Sequence, residues 1–141
     1  MVRHETIVVN SQLDTLFKVQ QWFRDLYESL EPELAWVGLC RDRLNLAIAE
    51  GFTNAVRHAH AQLPPETPIT IDVWVKGDRI DICIWDQGEP FDPDQLGEPA
   101  PGSLLQNGGY GWYLLRRVVD AVSYQRQAGK NCLSITQYHL P

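Results

Sequence analysis

"ITIDVWVKGDRIDICIWD", residues 69–86, is the stretch on which the fold turns. Ile69, Ile71, Val73 and Val75 occupy alternate positions before Lys76-Gly77-Asp78, and Ile80, Ile82 and Ile84 do so after it. A period of two marks a strand with one buried face, and a glycine turn between two such runs predicts an antiparallel hairpin.

Working outward, "LPPETP" (63–68) stops whatever precedes the hairpin, because proline lacks the amide donor that a helix needs. Upstream of it, a helix is predicted to run from after "EPELAWVG" to about Ala61, with Leu44, Ile48, Gly51, Phe52, Ala55 and Ala59 on its core side. "ETIVVN" (5–10) reads as a strand. The next twenty residues read as an amphipathic helix, with Ser11 as N-cap and Leu13, Leu16, Phe17, Val19, Phe23, Leu26 and Leu30 as its apolar positions.

Downstream, residues 87–108 hold four prolines and four glycines and show no period. An irregular segment of that length in a compact domain marks a lid or functional loop. A third helix is predicted over 110–122, with Trp112, Leu115, Val119 and Val122 on one side, and a second hairpin turns at Ala128-Gly129-Lys130. The order β, α, α, β, β, lid, α, β, β predicts an α/β (α+β) two-layer sandwich: a mixed, largely antiparallel sheet with helices on one face.

The chain of 141 residues is of single-domain length, and 44% hydrophobic against 21% charged residues suffices for a core without staples. Eighteen acids against twelve bases give a net charge of -6, which argues against nucleic acid as a partner. Cys40, Cys83 and Cys132 are widely spaced and odd in number, so neither a disulfide framework nor a zinc site is expected. No apolar run suits a signal peptide or a membrane span, and the expectation is a soluble, cytoplasmic protein.

Three short motifs bear on chemistry. Glu50 and Asn54 in "AEGFTNAVRHAH" (49–60) project together from one side of a helix, either as a solvated polar face or as a general base beside a hard ligand for Mg²⁺. His58 continues their line, whereas His58 and His60, two apart, do not face each other and make a poor metal clamp. In "IWDQGEPFDP" (84–93), Asp86 ends a strand and Gly88 follows; an aspartate there can accept from an amino group, and the same pattern also opens ordinary turns. In "NGGYGWYLL" (107–115), Gly108, Gly109 and Gly111 lead into a helix, where exposed amides can cradle phosphate or a loop can simply turn.

In this order and at these intervals, the three motifs resemble those of the GHKL superfamily, the histidine-kinase-like ATPases. The variants "NAVRHAH" and "DQGEPFDP" are most similar to the anti-sigma-factor serine/threonine kinases, and the resemblance covers nearly the whole chain. It implies a single histidine-kinase-like ATPase domain over 1–141 with an ATP lid at about 87–108. It also implies ATP and Mg as cofactors. Glu50 would be the general base, Asn54 the Mg²⁺ ligand, Asp86 the partner of the adenine amino group and Gly88 the approach to the ring. Gly109 and Gly111 would face the phosphates, and His58 occupies the family's histidine position.

The implied activity is phosphorylation of a small antagonist protein, an anti-anti-sigma factor, or capture of a sigma factor by partner switching; homodimers are frequent in the family. A histidine kinase would need an upstream phosphoacceptor, and the sole candidate, His4, falls in a strand. Between Glu89 and Gly109 there is no lysine or arginine, while Glu89, Asp92, Asp94 and Glu98 make the lid acidic and Asn107 stands near a position that is basic in related kinases. Arg57, Arg116 and Arg117 are the candidates to neutralise phosphate. The alternative is therefore an ATP-binding regulator that sequesters a partner without phosphoryl transfer, and a third reading is an interaction domain with a dead nucleotide site.

Overall fold

A computed structural model describes residues 2–90 and 109–139, with side chains in the second segment from residue 114 onward. The central hairpin is as the alternation predicts: β2 (Pro68–Lys76) pairs antiparallel with β3 (Arg79–Asp86) in the register Ile71↔Ile84, Val73↔Ile82 and Val75↔Ile80. All of these inward residues are buried. β1 (Val2–Asn10) adds to the outer edge of β2, from Val2↔Lys76 to Asn10↔Pro68, and is longer than the sequence pattern suggests because pairing recruits its polar start.

β4 (Ala121–Gln127) and β5 (Lys130–Tyr138) form the second hairpin. Its two-residue turn places both Ala128 (φ 52°) and Gly129 (φ 77°) in the left-handed region, the geometry whose twist suits a tight hairpin. β5, not β4, lies against β3, giving the order β1-β2-β3-β5-β4 with every described pairing antiparallel. β4 therefore runs in the same direction as β3, with β5 filling the slot between them.

Among the described residues, three α-helices cover one face: α1 (Leu16–Glu28), α2 (Arg41–Asn54) and α3 (Gly109–Val118). α1 buries Val19, Phe23 and Leu26, one side of a 3.6-residue period, whereas Leu13 and Phe17 from the expected stripe stay exposed. Ser11 does not cap it. A short 3₁₀ turn, Leu13–Thr15, intervenes, and the Thr15 hydroxyl donates to the carbonyls of Asn10 and Gln12. Another 3₁₀ segment, Pro32–Cys40, leads into α2 and anchors Trp36, whose Nε1 donates to the Lys76 carbonyl at 3.1 Å.

The core lies between these helices and the sheet, with Leu44, Ile48 and Phe52 of α2 set against Ile69, Ile71, Ile82 and Ile135. The opposite face carries polar and aromatic residues; His4 stacks on Trp74 at 4.4 Å, and the Trp85 indole donates to Asp72. Cys40, Cys83 and Cys132 are all free thiols.

Two expected helix ends move. α2 gives way at Ala55–Ala59 to a wider π turn, closed by His60 N–H donating to the Ala55 carbonyl at 2.8 Å. α3 stops at Val118, and Val122, expected on the helix, lies in β4 opposite Ile135. Val119 and Val122 suit either a helical or a strand period, and pairing with β5 decides the matter.

Candidate functional site

The C-terminal ends of α2 and β3, the middle of β4 and the first half of β5 converge on one small cleft that opens to solvent. Its walls are apolar: Ala55 and Ala59 from the π turn, Ile84 from β3 and Leu133 from β5. Gly51 lets the helix lie close to the sheet here, since a Cβ would stand 2.6 Å from Ile84 Cδ1.

Asp86 supplies the charge on this surface. It is only 4% exposed, and its Oδ1 accepts from the Gly88 amide at 3.0 Å and from Asn131 Nδ2 at 2.8 Å. A carboxylate held by donors in a largely apolar cleft is placed to accept from a ligand N–H. Tyr124, from β4, lines the same cleft; burial, and then the neighbouring Asp86 charge, push its hydroxyl pKa upward, so it stays protonated. Asn54 reaches the cleft from the last turn of α2, and Glu50, half-buried, precedes it by one turn.

Gly88 is constrained by packing. A Cβ would meet the Ala59 carbonyl oxygen at 2.0 Å, so only glycine allows the chain leaving β3 to press against the end of the helix. His60 fastens the same junction. It is 3% exposed, and its Nε2 accepts from the Gln87 amide at 2.8 Å. That bond requires a lone pair on Nε2, so the neutral tautomer carries its proton on Nδ1, and burial lowers the pKa against the opposing pull of Asp86.

His58 is exposed and lines an adjoining hollow with Gln62, Gln87 and Gly88, which shares Ala59 with the Asp86 cleft. Gly109 and Gly111 lie in the first turn of α3, which packs on α2; the first amides of a helix have no partner within the helix itself. The acidic lid residues Asp92, Asp94 and Glu98, and Asn107, lie outside the described residues. Arg57, Arg116 and Arg117 are exposed.

The structure thus brings Asn54 and Asp86 into one cleft with Glu50 one turn away, and places His58 in the adjoining hollow beside Gly88. His60, Tyr124, Arg126 and Asn131 were not foreseen as site residues. Among them, only the spacing of His60 beyond the motif drew notice in the sequence.

The model of the histidine kinase-like ATPase domain matches residues 9–137 of the chain. The serine/threonine-protein kinase BtrW of Bordetella bronchiseptica is 35% identical over 111 residues, covering 75% of this chain and 76% of BtrW. The serine-protein kinase RsbW of Bacillus subtilis is 33% identical over 102 residues, covering 67% of this chain and 62% of RsbW. Among solved structures, the RsbU and RsbW domains of Rv1364c from Mycobacterium tuberculosis match 99% of this chain and 33% of that one, with a TM-score of 0.65 at 15% identity, a likeness of fold.

The chain belongs to the histidine kinase-like ATPase domain family. Within it, the chain is similar to the RsbW and BtrW protein kinases, and ATP is the nucleotide that the family's name implies. No described helix is long and apolar enough to cross a membrane.

Proposed function

We propose that the chain is an ATP-dependent serine/threonine protein kinase of the anti-sigma-factor type, which phosphorylates a small antagonist protein and holds a sigma factor by partner switching. One observation carries the nucleotide reading: a buried carboxylate, Asp86, in an apolar cleft shared with Asn54. The names of the related kinases support the activity.

In this reading the adenine amino group donates to Asp86, and the ring lies between the π turn and Ile84 and Leu133. The phosphates run toward the amides of Gly109 and Gly111. The amide oxygen of Asn54 is a hard donor suited to Mg²⁺, which fits an ion that takes few protein ligands and the rest from phosphate and water. When bound, Mg²⁺ supplies charge neutralisation on the transferred group.

Glu50 receives the proton of the attacking serine or threonine hydroxyl. As the oxygen–phosphorus bond forms, the bond from the terminal phosphorus to the bridging oxygen breaks and ADP leaves. The second reading, partner capture without transfer, is favoured by the absence of lysine and arginine between residues 89 and 109.

Glu50→Gln and Asn54→Ala separate the two. Under the kinase reading, Glu50→Gln keeps most ATP and Mg²⁺ affinity and loses transfer by about 10²- to 10⁴-fold, while Asn54→Ala loses both. The measurements are calorimetric ATP affinity, partner retention and transfer of labelled phosphate to a candidate antagonist. Undiminished transfer in Glu50→Gln would refute the assignment of the base; ATP-dependent capture with no transfer in the unaltered protein would establish the second reading.

A further inference from the structure

The carboxylate of Asp86 is not free to turn. Asn131, fully buried at the start of β5, donates from Nδ2 to Asp86 Oδ1 at 2.8 Å and to the Gly88 carbonyl at 3.0 Å. Its own Oδ1 accepts from Arg126 Nη1 at 3.0 Å, and the same Nη1 donates to the Gly88 carbonyl at 3.2 Å. The orientation of the amide follows from its partners: a carboxylate and a carbonyl require donors, and a guanidinium requires an acceptor. Asp86 Oδ1 therefore carries two donors, Asn131 Nδ2 and the Gly88 amide.

We propose that Asn131, held by Arg126, is a positioning residue that sets the choice of purine by locking Asp86 with Oδ2 as the oxygen that meets the ring edge. The inference rests on the nucleotide reading above. A 6-amino purine presents a donor to that oxygen. A 6-oxo purine presents an acceptor at the same place and a donor one atom further round, at N1. The Cβ–Cγ torsion of an aspartate is intrinsically broad. Without the Asn131 donor the carboxylate keeps the Gly88 amide and its Tyr124 neighbour but is freer to turn and accept from N1–H, and discrimination falls.

ATP and ITP differ in this edge alone, so their affinities read the lock directly. Calorimetry on the full chain would compare the unaltered protein with Asn131→Leu, Asn131→Thr and Arg126→Met. Asn131→Leu is expected to weaken ATP about tenfold while leaving ITP within about twofold, shrinking the ATP:ITP preference. Asn131→Thr keeps a donor and should retain more of the preference than Asn131→Leu. Arg126 is exposed, so Arg126→Met should fold even if Asn131→Leu does not, and a partial loss of preference is expected from it.

Equal loss of ATP and ITP affinity in Asn131→Leu, or an unchanged preference in Arg126→Met where Asn131→Leu does not fold, would overturn the proposal and leave Asn131 a packing residue. If the unaltered protein binds ATP and ITP equally, the adenine assignment of Asp86 fails instead, and the proposal with it.

Discussion

Gly51→Ala sets two opposing effects against each other at the centre of the site. A helical glycine replaced by alanine gains about 1 kcal/mol of helix propensity. Here, however, the new methyl would stand 2.6 Å from Ile84 Cδ1 and 2.9 Å from Leu133 Cδ2, against an ordinary carbon–carbon separation of about 3.5–4.0 Å. Overpacking of that kind costs about 1–3 kcal/mol. Ile84 and Leu133 are themselves buried, and the space into which they can yield is the cleft they line. The expected net effect is destabilisation by about 1 kcal/mol with ATP affinity reduced several-fold. Urea unfolding with and without nucleotide measures both, because ligand binding adds stability in proportion to the logarithm of its concentration over Kd. Gly38→Ala, where an added Cβ meets nothing within 4 Å, is the control. A Gly51→Ala protein more stable by about 1 kcal/mol with undiminished ATP affinity would refute the reasoning, since propensity would then have outweighed packing.

Asp86→Asn can keep its oxygen toward Asn131 and the Gly88 amide, which leaves its NH₂ facing the adenine amino group. Two opposed donors in place of a charge-assisted bond should cost about 2 kcal/mol, roughly thirtyfold in ATP affinity by calorimetry, and an unchanged affinity would dismiss the adenine contact. The pKa of His60 is lowered in the folded protein, chiefly by burial, so the unfolded chain takes up the proton more readily. Stability from this group is present above the unfolded value of 6.5 and declines as pH falls below it; chemical denaturation between pH 7.5 and 5.5 should show a slope that flattens in His60→Gln.

The parts of the fold that were legible are those whose period belongs to one element alone. Ile69 to Ile84 alternate in a way no helix accommodates, and β2 and β3 follow directly. Val119 and Val122 satisfy two periods at once, so the end of α3 depended on a partner strand that the local pattern does not name. A uniform helical period placed Ala59 on the core side. The π turn shifts the phase, leaving Ala59 half-buried and turning His60 inward. Of the site, Asn54 and Asp86 were readable from short-range motifs. Asn131 lies 45 residues from Asp86 in sequence, and the pairing Asp86↔Asn131 exists only because β5 enters beside β3. A side chain whose role is created by strand order carries no local mark of it.

That strand order also governs when the site can come into being. β2 and β3 form a hairpin, β1 pairs with β2 across the connection that holds α1 and α2, and all of these segments precede β5, so much of the core can assemble before β5 is available. Synthesis runs from the N-terminus, and non-local pairing is the slow part of folding. Asp86 is therefore made early and stays without its Asn131 donor until the β4–β5 hairpin is complete and β5 has docked against β3. A nascent chain lacking residues 130–138 has the motifs of α2 and β3 but not the assembled cleft, and nucleotide can stabilise the protein only after this final docking, as a seal on the finished fold rather than a template for it.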